Sequence, residues 1–221
     1  MLLVQSNGAA NSGSSGTISF TSNVTAGDLL LVVFLPFNAN PPAPTDSLSN
    51  TWIPIVPFAQ ESSGAAGMNA WAAIANSSGA CTVSYSGFPS ADQAAIFLEE
   101  WSGVEALSHA GSAIGTGSTT ICENTNTPLT TQSGTAVLFA WQDSNGNAIT
   151  PSPGTSRQAF SIPGGAYATL ADAPFSIQSS FAAFSVTWSI AGGGGADTVC
   201  GMIFLFGPAS GGSAANSSFA A

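Results

Sequence analysis

Apolar and polar residues alternate with a period of two along much of this 221-residue chain, and the 3.6-residue period of an amphipathic helix is nearly absent. Ile18 and Phe20 alternate with Thr17, Ser19 and Thr21; Cys81, Val83 and Tyr85 alternate with Thr82, Ser84 and Ser86. Phe184, Val186, Trp188 and Ile190 alternate with Ser185, Thr187 and Ser189. Successive side chains of a strand point to opposite faces, so Thr17–Ser22, Cys81–Ser86 and Phe181–Ile190 are predicted to be strands with one buried and one wet face. Asp28–Pro36, Gln93–Trp101, Thr135–Gln142 and Thr198–Phe206 are apolar almost throughout, as strands covered on both faces are. Thr51–Phe58, Met68–Ala75, Ser156–Ile162 and Ala166–Ala171 are further predicted strands. Turn residues cluster between them at Asn38–Asp46, Ser62–Gly67, Asp143–Gly154 and Gly192–Asp197. About a dozen short strands so spaced predict an all-β fold, a two-sheet antiparallel β-sandwich of jelly-roll type.

The two halves are faintly alike. The run Thr25-Ala-Gly-Asp-Leu-Leu-Leu-Val-Val-Phe parallels Thr131-Gln-Ser-Gly-Thr-Ala-Val-Leu-Phe-Ala, and the strand pair after Cys81 parallels the pair after Phe181. Each half alone has too few strands to cover both faces of its buried ones. The expectation is therefore one domain over 16–208 with a duplicated strand pattern, an N-terminal arm over 1–15, and a small polar tail over 209–221. The extended termini are expected to reach neighbouring subunits by strand addition.

Composition narrows function mainly by exclusion. Arg157 is the single basic residue against eleven carboxylates, a net charge of −10, yet 44% of residues are apolar. Nucleic acid and anionic lipid both require Lys or Arg, so neither is an expected partner. Hydroxyl and amide side chains must carry the solubility. The longest apolar run, Leu29–Phe37, is strand-sized and broken at Pro36, far below the roughly 18–20 residues of a spanning helix. The first residues lack a basic region and a long enough apolar segment for a signal peptide, so synthesis without a standard export signal is expected.

Candidate chemistry is sparse. Cys81, Cys122 and Cys200 can form at most one internal disulfide and match no zinc pattern; buried small hydrophobes are the expected role. His109 stands alone in a Gly/Ser/Ala segment expected to be a loop, with no nucleophile elbow to serve. Glu99 and Glu100 are adjacent and therefore face opposite ways on a strand; one is expected to point inward and cap a backbone group. No catalytic residue and no cofactor is expected. Asp143, Asn145 and Asn147 reproduce the one-three-five spacing of a calcium loop, but Ala148 stands where its glycine belongs and no glutamate follows at position twelve. A tight turn competes with calcium there, and calcium at Asp46–Asn50 is weaker still. Trp52, Trp71, Trp101, Trp141 and Trp188 could stack on sugars, but all lie inside predicted strands, where core packing is the commoner role. Sequons stand at Asn23, Asn76 and Asn216.

Three segments form an ordered set: Val24-Thr-Ala-Gly-Asp-Leu-Leu-Leu-Val-Val-Phe, Thr45-Asp-Ser-Leu-Ser-Asn-Thr-Trp and Phe97-Leu-Glu-Glu-Trp-Ser-Gly-Val. Together they resemble a β-sandwich module of bacteriophage virion proteins and bacterial surface or secreted proteins, over most of residues 16–207. Ser49 stands where the module's hairpin usually has glycine. The resemblance implies architectural roles: Gly27 and Asp28 turn into a strand, Asp46 and Asn50 brace a hairpin, and Trp52 and Trp101 pack. It implies no catalysis. The expected function is that of a non-enzymatic virion protein, either a capsid decoration (cement) protein or a head- or tail-fibre component. Such a protein would be displayed on the virion surface, with other virion subunits and copies of itself as partners. A secreted or cell-surface bacterial adhesion or filament subunit, or a carbohydrate-binding module with a glycan partner, is the alternative.

Overall fold

The computed structural model describes residues 2–11, 13–36, 40–60, 67–88, 94–116, 120–121, 133–142, 148–152, 154–162, 166–176, 186–191 and 198–208. These residues form strands and connecting turns only. The first half contains β1 (Leu2–Asn11), β2 (Ser15–Ser19), β3 (Leu29–Pro36), β4 (Thr45–Asp46), β5 (Ile53–Gln60), β6 (Gly67–Ile74), β7 (Thr82–Ser86) and β8 (Ala94–Ser102). The second contains β9 (Val104–Thr116), β10 (Thr120–Ile121), β11 (Ser133–Gln142), β12 (Ile149–Ser152), β13 (Thr155–Ile162), β14 (Ala166–Ser176), β15 (Val186–Ile190) and β16 (Thr198–Pro208).

The first half builds a five-stranded sheet in the order β1-β8-β3-β6-β5 and a three-stranded sheet in the order β2-β7-β4. The second builds β9-β16-β11-β14-β13 and β10-β15-β12. Adding eight to each strand number of the first half reproduces the second. β3 begins at residue 29 and β11 at 133, β7 at 82 and β15 at 186, β8 at 94 and β16 at 198, a constant spacing of 104. Among the described residues every ladder is antiparallel and none joins the halves. The interleaved order, 1-8-3-6 opposed to 2-7-4, is jelly-roll-like wiring, with β5 joined to β6 at the edge of the larger sheet. The all-β antiparallel sandwich is thus present, with sixteen described strands in four sheets.

Burial explains the pattern of β3. Its odd-numbered residues Leu29, Leu31, Val33 and Leu35 share one core cluster with Val137, Phe139, Ala168 and Leu170 of the second half. Its even-numbered residues Leu30, Val32 and Phe34 pack with Ile18, Val83 and Tyr85 of the first half's small sheet. The Phe97 and Phe139 rings meet 5.5 Å apart across the junction of the halves. On the far side, β12 lies against β11, β13 and β14, and Trp188 of β15 is fully buried. The order of layers is therefore three, five, five and three strands. The two large sheets stack with β1 against β13 and β5 against β9. Each half covers one face of its large sheet by itself, and the other half covers the second face.

Two sequence expectations change. The segment expected to be an N-terminal arm is β1, hydrogen-bonded along β8 from Leu2 to Asn11, with a bulge at Val4. His109 lies in β9, opposite Leu205, rather than in a loop. Small residues on both segments hid the alternation, and pairing with β8 and β16 overrode their weak strand preference. The tail over 209–221 lies outside the described residues.

Candidate functional site

Glu99 and Glu100 are both fully buried near the end of β8. The pleat sends them to opposite faces. Glu99 points into the junction between the two halves and meets Arg157, whose Nη1 lies 3.3 Å from Glu99 Oε1. Arg157 sits where the β13–β14 register slips between Ser156 and Gln158. A bulge of this kind leaves a residue free of the ladder and re-aims its side chain, here inward. Its Nε donates to Asp172 Oδ1 on β14 at 2.8 Å, and its guanidinium lies 5.0 Å from the centre of the Trp101 ring. The Trp101 indole N–H donates to Glu99 Oε2 at 2.9 Å. Burial pushes the Glu99 carboxyl up to about 7; Arg157 and the Trp101 hydrogen bond pull it down, and the charge of Asp172 raises it again. Nearby, Gln158 Nε2 donates to Ser6 Oγ at 3.1 Å, a second polar link across the halves.

Glu100 serves the other face. Its Oε1 accepts the Thr25 backbone N–H at 2.7 Å, and Gln5 Nε2 donates to its Oε2. Gln5 Oε1 accepts from the Ser22 backbone N–H at 2.8 Å and the Thr21 hydroxyl at 2.9 Å. The bulge at Val4 delivers Gln5 to this position. Partial burial and the neighbouring Glu100, through its charge and a hydrogen bond, hold the Asp28 carboxyl above its ordinary value. The expected inward carboxylate that caps a backbone group is therefore Glu100.

Asp46 organises the turn before β5. Its Oδ1 accepts the Leu48 backbone N–H at 2.7 Å and the Asn50 amide at 3.1 Å. Its Oδ2 accepts the Trp52 indole N–H at 2.7 Å and the Asn50 backbone N–H at 3.2 Å. Asn50 Oδ1 in turn accepts the Asn76 backbone N–H at 2.8 Å, and the Asn76 amide donates to the Ser49 carbonyl at 3.0 Å. Both Asp46 oxygens are saturated by internal donors, which removes the calcium reading at Asp46–Asn50. Gly27, at φ 90°, and Asp28 form the turn into β3.

The remaining candidates are placed as follows. Asp143, Asn145 and Asn147 lie outside the described residues, as does Cys122. Cys200 falls in β16 and Trp141 in β11. Cys81 is a free, buried thiol whose ionisation is pushed up to about 12, first by burial and then by Asp46 and Glu100, so it stays protonated and unreactive at neutral pH. Trp52, Trp71, Trp101 and Trp188 are buried, so none of these four presents a ring face to a sugar. Among the described residues no three His, Cys, Asp or Glu side chains converge. An open groove of about 170 Å³ beside β5 and β6 is lined by Thr51, Ile53, Ala72, Ala73, Ile74 and Asn76, without an ionisable group. No protein-family model, curated protein or solved structure matches the chain.

Glu99, Arg157 and Asp172 thus brace the two halves against each other, and Glu100 and Asp46 brace the first half internally. Sequence reasoning missed the Glu99–Arg157–Asp172 centre because 58 residues separate Glu99 from Arg157. The one available signal was that a sole basic residue in an apolar chain needs a carboxylate partner once buried.

Proposed function

We propose that this protein is a non-enzymatic structural component of a virion, a capsid decoration protein that binds the assembled shell. The observation that carries the reading is the commitment of Arg157, Glu99, Glu100 and Asp46 to internal contacts within a double jelly roll. Such a scaffold spends its polar chemistry on shape and presents hydroxyl and amide groups to its surroundings. The resemblance of the Val24–Phe34, Thr45–Trp52 and Phe97–Val104 segments to virion and surface β-sandwich modules supports the same reading. Binding to the assembled shell and not to free subunits would stabilise the particle by linkage.

The test is peptide mass spectrometry of gradient-purified particles from the source, with chymotrypsin because trypsin has one site, Arg157. Peptides of this chain at a fixed ratio to the major shell protein are expected, together with a fall in particle melting temperature when the chain is deleted. Their absence from particles, with recovery in the medium or on the cell surface, would replace this reading by that of a bacterial surface subunit.

A further inference from the structure

Four strands bound the two large sheets: β1 and β13 on one flank, β5 and β9 on the other. An edge strand presents unpaired N–H and C=O groups, and folded proteins guard such edges with prolines, bulges or charge. β5 is guarded. It carries Pro54 and Pro57, and its register against β6 breaks twice, between Pro54 and Val56 and between Val56 and Ala59. β9 carries Glu105.

The β1 flank is different. Leu2–Asn11 contains no proline and none of the chain's charged residues. After the bulge at Val4 its register against β8 runs unbroken from Gln5 to Asn11. Leu2 is 71% exposed and Val4 46%, two of the three large apolar side chains left exposed among the described residues. The adjoining β13 has one charge, Arg157, and that charge is turned inward to Glu99 and Asp172. No described strand pairs with the outer side of β1.

We propose that the outer edge of β1 is a self-association surface, where β1 of a second copy of this chain pairs antiparallel across a two-fold axis. Charge restricts where two copies can meet. Two molecules of net charge −10 repel each other, and they meet most cheaply through a stretch without carboxylates. A basic partner, drawn by that acidity, would settle on the carboxylates and find none on β1. A two-fold axis sets the same uncharged residues opposite one another, so the contact is self-complementary and closed. The pairing joins two five-stranded sheets into one ten-stranded layer.

This inference deepens the self-association included in the proposed function, but it is tested on the free chain. A failed dimer leaves particle binding standing, and absence from particles leaves the dimer standing. Sedimentation of the purified full-length protein over a wide concentration range is expected to show a species of twice 21.9 kDa. The double variant Leu2→Asp/Val4→Asp should shift it to a single 21.9-kDa species, whereas Ile74→Asp, near the opposite flank, should leave the dimer intact. Hydrogen exchange of the wild-type chain gives a readout that needs no variant: amides of Gln5–Asn11 should slow as concentration rises. A wild-type monomer at every concentration, a dimer indifferent to the β1 charges, or concentration-dependent protection away from β1 would overturn the proposal.

Discussion

Glu99 couples the junction of the two halves to pH. In an unfolded chain its carboxyl titrates near 4.5, and in the fold near 7. Below the lower value it is protonated in both states; between the two, only the folded state holds the proton; above the upper value the fold carries the whole cost of a buried charge. Its contribution to stability therefore falls as pH rises through that window, by on the order of 3 kcal/mol. Urea midpoints should be higher near pH 5 than near pH 8, and Glu99→Gln should flatten the difference. Arg157→Ala should cost about 2–3 kcal/mol near pH 8, where Glu99 must take up a proton once its counter-charge is gone, and about 1–2 kcal/mol near pH 5, where only the hydrogen bonds and cation–π contact are lost. Equal losses at both pH values would show that the charge of Glu99 plays no part in the effect. Ser49 is a second local strain: it is the non-glycine residue held at positive φ, 56°, among the described residues. Ser49→Gly should raise stability by about 0.5–1 kcal/mol, because the relieved left-handed strain exceeds the added chain entropy. Thermal melting checks this, and a lowered melting temperature would mean that the serine has an unseen role.

At the scale of elements, the strands covered on both faces were the most legible. Asp28–Pro36, Gln93–Trp101, Thr135–Gln142 and Thr198–Phe206 correspond to β3, β8, β11 and β16, all interior strands of the five-stranded sheets. Their continuous apolar runs follow from needing two buried faces, and Phe97 shows what the inner face contributes. Phe97→Ala should cost about 3–5 kcal/mol by opening a cavity against Phe139 between the stacked sheets, measured by chemical denaturation. Of the four edge strands, β5 and β13 overlap the predicted Thr51–Phe58 and Ser156–Ile162, but β1 and β9 were illegible for the converse reason. Gly8, Ala9 and Ala10 in β1, and Ala110, Gly111, Ser112 and Ala113 in β9, carry too little side chain to mark a face, and only their ladders define them. The candidate site was half legible. The opposite orientation of Glu99 and Glu100 follows from their adjacency, but Arg157 as the partner of Glu99 does not. That pairing requires a bulge on β13 and the stacking of one half on the other, neither of which has a local signature.

The whole molecule behaves as two jelly rolls that complete each other. Residues 1–103 contain every described ladder of the first half, and the remainder contain every described ladder of the second. Ladders alone would allow two independent domains, but burial argues otherwise. Without its partner, the first half would expose Leu29, Leu31, Val33, Leu35, Phe97 and Trp101 on one sheet face. It would also leave Glu99 without its counter-charge. An apolar face of that size on an isolated sandwich drives association. The full chain should therefore unfold in a single calorimetric transition whose van't Hoff and calorimetric enthalpies agree. Residues 1–103 expressed alone should aggregate or pair with themselves, and co-expression with 104–221 should restore a soluble one-to-one complex. Two resolved transitions, or a soluble monomeric first half, would mean that the junction of the large sheets adds little to stability. In that case Arg157→Ala should lose its pH-dependent cost as well, since both effects depend on the same buried face.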